Sequence, residues 1–320
     1  MCIAIVSTAH PTYPFILLSN RDEFLTRPTA RVDWWQDPHS HVLGPRDLQK
    51  QEQGTWLGIT SDGRFAVLTN FRDEGVEVTK DKSRGGIVTA WLQPQPESAP
   101  SVDQFADHLI HEVGINDVGG FSLLFGQLSR DHKDGLTILS NRSTSSNALP
   151  RIARHAGETH GLSNSHYGDL TWPKVVHGEM LLKQAITANV SRGDSKEKLI
   201  QSLFDVLCVD TLPKRQEGET WVSFVRQLRN SILIPPVGGN TVDKNRPDSL
   251  ASGTTDDGSN APLSITNETA YGTHKQTIIL VDTEGKVNWI ERTLYDEQAQ
   301  PVPTSAQDVH IDFQIKGWET

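Results

Sequence analysis

The chain has 320 residues, 36% of them hydrophobic and 22% charged, with a formal net charge of −10 at pH 7. That length supports one large globular unit or two small ones, and the acidic balance argues against broad binding to nucleic acid or anionic membranes. Two cysteines, Cys2 and Cys208, make a disulfide framework impossible and point to a reducing compartment.

Residues 2–8 and 14–19 are short apolar runs flanking His10-Pro11-Thr12-Tyr13, the pattern of a β-hairpin. Antiparallel pairing about Pro11 sets residue i opposite roughly residue 22 − i, give or take two. Cys2 is thereby expected beside Asn20 and Asp22 of the cluster Asn20-Arg21-Asp22-Glu23. The start has no basic leader, and prolines interrupt its apolar runs, so no signal peptide is expected. No run of about 18 apolar residues occurs, so no membrane span is expected either.

Residues 27–53, rich in Pro, Asp and His with Trp34-Trp35, read as an ordered, irregular segment over the open end of the hairpin. His39 and His41 lack ligand partners at metal-site spacing and read as surface histidines. Residues 56–60 and 65–69 form a second hairpin through Asp62-Gly63, which runs out into Asn70, an amide placed to line a cleft or to serve a turn. Ser83 reads as an N-cap for a helix over 87–92, and Arg84-Gly85-Gly86 as a weak anion cradle.

A Pro-rich joint leads to a helix over 102–113, whose Phe105, Leu109 and Val113 share a face. Two strands, 121–127 and 136–140, precede a short strand over 159–165 that contains Asn164. Helices are expected over 174–190, after Pro173, and over 194–208, with Cys208 in the apolar stripe of the second. Residues 239–272 are rich in Gly, Ser, Thr, Asp and Asn and read as a flexible insertion within a single domain spanning 1–320. Strands over 276–281, 287–292 and 309–315 close the chain. Hairpins imply antiparallel sheets, and helices arriving in pairs between them imply an α+β fold, a four-layer αββα sandwich.

Chemistry concentrates at Cys2. Removal of the initiator Met would free its α-amine, with a pKa of about 7.7 to 8, to act as base for a thiol of pKa about 8.5. A small buried strand residue is the plain alternative.

These motifs resemble the NRDE-motif family, also called transport and Golgi organisation 2. The resemblance rests on Met1-Cys2-Ile3-Ala4, Asn20-Arg21-Asp22-Glu23-Phe24, Gly54-Thr55-Trp56-Leu57-Gly58, Leu68-Thr69-Asn70-Phe71-Arg72 and Ser83-Arg84-Gly85. Gly161-Leu162-Ser163-Asn164 and Trp172-Pro173-Lys174 extend it. The family in turn is similar to N-terminal nucleophile hydrolases of the cholylglycine hydrolase and acid ceramidase type. That likeness implies Cys2 as nucleophile, Asn20 and Asp22 beside it, and Asn70 and Asn164 as later asparagines, one of them an oxyanion donor. Ser19 stands where those enzymes often carry an arginine, and His274-Lys275 where this family often has one. An anion-binding arginine is therefore absent or carried by Arg21 or Arg84.

The resemblance implies a role in Golgi organisation and protein secretion, with a small acyl, lipid-like or haem ligand. The alternative is an active amidase or thioesterase. No cofactor or metal is expected, protein partners are unspecified, and the expected location is cytoplasmic and soluble with a Golgi-associated or mitochondrial pool.

Overall fold

Residues 2–24 form the expected hairpin, with β1 (Ile3–Ser7) antiparallel to β2 (Phe15–Phe24) and Ile3 opposite Asn20. In this computed structural model the described residues are 2–71, 84–115, 118–131, 133–216, 219–238 and 270–318. Strand β2 continues past Ser19 through the whole polar run to Phe24, because a distant strand supplies polar partners: Thr273 lies opposite Asp22, Lys275 opposite Arg21 and Gln276 opposite Asn20.

Residues 27–53 are not irregular. They form β3 (Thr29–Trp34) and β4 (Val42–Asp47), which pair antiparallel with a register shift between Ala30 and Asp33. That irregularity, with Gly44-Pro45 inside β4, hides the strands from a period-two reading. The expected second hairpin is β5 (Leu57–Thr60) and β6 (Arg64–Asn70). With β7 (Phe121–Gln127), β8 (Leu136–Ser140) and β9 (Arg151–Ile152), they complete a sheet ordered β3-β4-β5-β6-β7-β8-β9.

The other sheet is ordered β10-β1-β2-β12-β13-β14, where β10 is Thr159–Leu162, β12 Ala270–Val281, β13 Lys286–Thr293 and β14 Asp308–Gln314. The two-residue β11 (Val237–Gly238) pairs with the start of β12. Residues 270–272 thus belong to a strand rather than to the expected insertion, and the rest of that insertion lies outside the described residues.

Strand alternation builds the three largest cores among the described residues. Ala4, Val6, Phe15, Leu17 and Ile279 face the second sheet and pack with its Leu57, Ile59, Phe65 and Val67. Ile3, Ile5, Ile16 and Leu18 point the other way, onto α3 (Pro173–Arg192) and α4 (Lys196–Leu207), through Leu182, Ile186, Leu199 and Leu203. Beyond the second sheet, Ala66, Leu68 and Leu123 pack on α1 (Arg84–Leu92) and α2 (Val102–Asp107), through Val88, Trp91 and Phe105. The layers run α-β-β-α, as the sequence implied.

Three local differences matter. The expected helix over 102–113 splits, with α2 giving way to a π-helical turn over His108–Val113. A further helix, α5 (Trp221–Gln227), and the short α6 (Thr304–Gln307) carry no clear sequence signal. Cys208 is exposed rather than in the core, because α4 ends at Leu207 and leaves Cys208 as its C-cap. Ser83 lies outside the described residues. Among the described residues, no helix is long and apolar enough to cross a membrane.

Candidate active site

The register of β1 and β2 builds the site. Ala4 and Val6 face the second sheet, so two positions back Cys2 falls on that same face; on β2, Phe15 and Leu17 share it, and so does Arg21 four positions on. Cys2 is half-buried, and its Sγ donates to the Asp22 carbonyl at 3.8 Å. Arg21 reaches across the sandwich, its guanidinium 4.3 Å from the ring centroid of Trp56. Its Nη1 lies 3.4 Å from Nδ1 of His274, and its Nη2 lies 3.8 Å from Glu23.

Asp22 alternates to the helix side of the sheet. Its Oδ1 accepts from the Thr273 hydroxyl at 2.7 Å, its carbonyl accepts from the Tyr271 hydroxyl at 3.0 Å, and its Oδ2 lies 3.5 Å from Nζ of Lys174. Neither side chain of that ion pair is exposed, at 0% each. Burial pushes the Asp22 carboxyl up and the Lys174 ammonium down, while each charge opposes the shift of the other.

Lys174, quoted in the sequence only as the end of Trp172-Pro173-Lys174, is the buried partner of Asp22 that sequence reasoning did not assign. It sits in the first turn of α3, where a cation opposes the helix dipole. That misplaced charge is the signal available from sequence, because a lysine there needs an anion to hold it.

The other sequence-derived candidates divide. Asn20 points into the helix layer, fully buried, and its Nδ2 donates to the carbonyls of Leu207 and Ile232, both at 2.9 Å. Its Oδ1 accepts from Gln276 at 3.3 Å, so the amide is committed to holding the helix layer on the sheet and does not reach the face of Cys2. Asn70 and Asn164 do come together: the Asn164 side chain donates to the Asn70 carbonyl. Beside them, Ser163 Oγ donates to the Cys2 carbonyl at 2.6 Å, and Thr69 Oγ1 donates to the Ser163 carbonyl at 2.7 Å. This seam ties β10 of one sheet to β6 of the other at the position of Cys2. Arg84 starts α1 and donates to the Gly120 carbonyl at 3.3 Å, and no described contact brings it to Cys2.

Burial pushes the Cys2 thiol up, more than the nearby Arg21 pulls it down, so the resting group is a thiol rather than a thiolate. His274 is pushed down to about 3 by burial and by the neighbouring Arg21 and Lys275, and stays neutral near pH 7. Lys275 pairs at 2.8 Å with Glu291, which also accepts from the Val32 backbone at 3.1 Å and so links the two sheets. Among the described residues, no group of three or more His, Cys, Asp or Glu side chains is arranged to hold a metal ion.

The family model described as "Transport and Golgi organisation 2" matches residues 1–296. An uncharacterised protein of Saccharomyces cerevisiae is 27% identical, with 99% of this chain and 100% of that protein covered. The "Transport and Golgi organization protein 2 homolog" of Homo sapiens is 30% identical over 89% of this chain and 88% of its own length. Among solved structures, an N-acylethanolamine-hydrolyzing acid amidase ortholog of Caenorhabditis elegans aligns with TM-score 0.36 and 12% identity, over 67% of this chain and 88% of its own. A conjugated bile acid hydrolase mutant from Clostridium perfringens aligns with TM-score 0.34 and 11% identity, over 98% of both chains. At those scores the two likenesses say nothing about chemistry.

Proposed function

The chain belongs to the transport and Golgi organisation 2 family, and we propose that it serves Golgi organisation and protein secretion by binding a small acyl or lipid-like ligand at the Cys2 corner and cleaving its amide or thioester bond there. The observation that carries the reading is the convergence on Cys2 of the Asp22 carbonyl, Ser163 and the Arg21 face, beside the buried Asp22–Lys174 pair. The family name carries the cellular role.

Because the thiol rests protonated, the nucleophile needs a base at the moment of attack. With Met1 removed, the α-amine of Cys2 fills that role, and Asp22 with Lys174 fixes it electrostatically. The thiol proton passes to the amine as sulfur bonds to the carbonyl carbon. The oxyanion formed takes hydrogen bonds, for which Asn70 and Asn164 supply side-chain amides near the seam, an effect of roughly 2.7 to 4 kcal/mol per donor. Collapse breaks the C–N or C–S bond and returns the proton to the leaving group. Water then releases the acid from the acyl-cysteine.

A second reading, a carrier that binds without turnover, draws on the same protonated thiol. Nothing among the described residues favours haem over an acyl ligand. Intact mass after exposure to S-phenyl thioacetate, in a Cys208→Ala background that removes the exposed thiol, separates the two readings. Hydrolysis is expected to give an acetyl adduct on Cys2 that turns over in the native protein, persists in Cys2→Ser and is absent in Cys2→Ala. Absence of any adduct, together with full complementation of a deletion strain by Cys2→Ala, would leave the carrier.

A further inference from the structure

Strand β10 is the edge of its sheet, and a cavity of about 180 Å³ lies against it, walled by β10, residues 163–172 and the first turns of α3. A single water needs roughly 10 to 15 Å³, so the space is large enough for a small organic molecule. None of Cys2, Arg21, Asn70 and Asn164 lines it. Ser163 is the shared wall, and its hydroxyl proton is already given to the Cys2 carbonyl at 2.6 Å.

The walls present negative charge and aromatic faces. Glu158 accepts from the backbone N–H groups of Ala153 and His155 at 2.8 and 2.7 Å and from His160 Nε2 at 2.8 Å. In the neutral ring that leaves Nδ1 as an acceptor, and it takes the Tyr167 hydroxyl proton at 2.9 Å. The Tyr167 oxygen then has only lone pairs to offer the cavity. Burial, with the charges of Glu179 and Glu158, pushes the Tyr167 phenol up.

Glu179 accepts from the Gly161 N–H through Oε1 at 2.7 Å, and its Oε2 accepts from no described residue. Holding the edge of β10 takes one oxygen, which a glutamine would supply as well, so the charge of Glu179 is left over. Asp169, by contrast, is filled by Ser165 and Thr171. Among the described residues the lining contains no lysine or arginine. Lys174 lies 5.9 Å from the Trp172 centroid but pairs with Asp22, and Arg142 is set against His166 Nε2 at 3.0 Å.

We infer that this cavity is a second ligand site, separate from the Cys2 corner, and that it takes a small organic ammonium ion. The ammonium lies by Glu179 Oε2 and the Tyr167 oxygen, against the rings of Tyr167 and Trp172, a carboxylate and two π systems suited to a cation. Its alkyl part lies along Leu162, Val175 and Val176, with exposed Leu170 at the rim. The site goes beyond the Cys2 reading and does not depend on it.

Titration calorimetry on the intact protein tests this with n-butylammonium and uncharged 1-pentanol, which match in length and differ in charge. Phosphate buffer at pH 8, above the ordinary histidine range, keeps other amines and histidine charge out of the comparison. The native protein is expected to bind the amine on the order of tenfold more tightly than the alcohol. Glu179→Gln, which keeps an acceptor for the Gly161 N–H, is expected to bring that ratio close to one. Trp172→Leu is expected to weaken the amine several-fold and leave the alcohol little changed.

Thermal melts show whether each variant folds, and should Glu179→Gln not fold, Trp172→Leu and the native ratio still decide. Equal binding of the two probes by the native protein, or a preference that survives in every folded variant, would overturn the proposal. Cys2→Ala is expected to bind the amine as the native protein does, so failure of the hydrolase reading leaves this site standing. Loss of the amine in Cys2→Ala would put the cation in the Cys2 corner and sink the separate site.

Discussion

The ammonium of Lys174 lies 3.5 Å from the carboxylate of Asp22, and neither side chain touches solvent. Breaking such a pair leaves one buried charge without its counterion, which typically costs about 3 to 5 kcal/mol. Lys174→Met is therefore expected to lower the urea midpoint sharply. The double variant Lys174→Met/Asp22→Asn is expected to recover much of that loss, because both charges are gone. A double-mutant cycle in urea reads the coupling directly, and additive losses would show that the pair does not act as a unit.

His274 gives stability a pH dependence of known sign. Its folded pKa of about 3 lies below the ordinary 6.5, so the proton binds the unfolded chain more readily. The stability it contributes is complete above pH 6.5 and is lost as pH falls from there towards 3. Across pH 6 to 4 the slope is expected to approach about 1.4 kcal/mol per pH unit from this group alone. His274→Gln should flatten that part of the curve in denaturant melts taken at each pH.

The two thiols are expected to react in an order set by burial. Cys208 is exposed at a helix end, whereas Cys2 is half-buried with its thiol pushed up. Limited iodoacetamide at pH 7 should therefore mark Cys208 first, and Cys2 should gain on it as pH rises. Peptide mapping of the alkylated protein checks this. Faster labelling of Cys2 at pH 7 would mean that removal of Met1 changes the thiol more than the surrounding burial does.

Asn20→Ala removes the side-chain donor to the buried Ile232 carbonyl, while the Leu207 carbonyl keeps the Gln276 amide at 3.0 Å. A loss of about 1 to 3 kcal/mol is expected from the one unsatisfied group, with the iodoacetamide rate at Cys2 unchanged. A change in that rate at full stability would place Asn20 in the site after all.

Gly178 is where α3 meets β1, and a Cβ there would stand 2.5 Å from Ile5 Cδ1. Gly178→Ala is expected to push the helix off the sheet at a cost of about 1 to 3 kcal/mol. The displacement should also loosen Lys174, one turn away, and speed alkylation of Cys2. Thermal melts and the alkylation rate test the two effects separately.

Period-two patterning made β1, β7 and β8 legible, because each strand alternates or is apolar throughout and is bounded by turn residues. The same logic ended β2 at Ser19, since Asn20-Arg21-Asp22 resembles a turn until the polar partners on β12 are known. Strands β3 and β4 were hidden by a register shift and a Gly-Pro step. Hairpin counting placed Cys2 beside Asp22, as the Cys2 thiol to Asp22 carbonyl contact has it. It could not say which face each side chain takes, and so it grouped Asn20 with them. Lys174 offered only a local hint, a cation in the first turn of α3, because its reason for burial is a carboxylate 152 positions earlier (174 − 22).

Strands β2 and β12 lie side by side at the centre of one sheet, from Phe15 opposite Val281 to Phe24 opposite Tyr271. Synthesis therefore delivers the first half of that pairing long before the second: Arg21 and Lys275 are 254 positions apart (275 − 21). At roughly 5 to 20 residues per second, the opening hairpin waits about 13 to 50 s with one side of β2 uncovered. An uncovered strand of Phe, Ile and Leu invites pairing with other chains. The earliest element made is thus among the last to be completed, and a chain that stops short of residue 270 would expose the strand that carries Arg21 and Asp22.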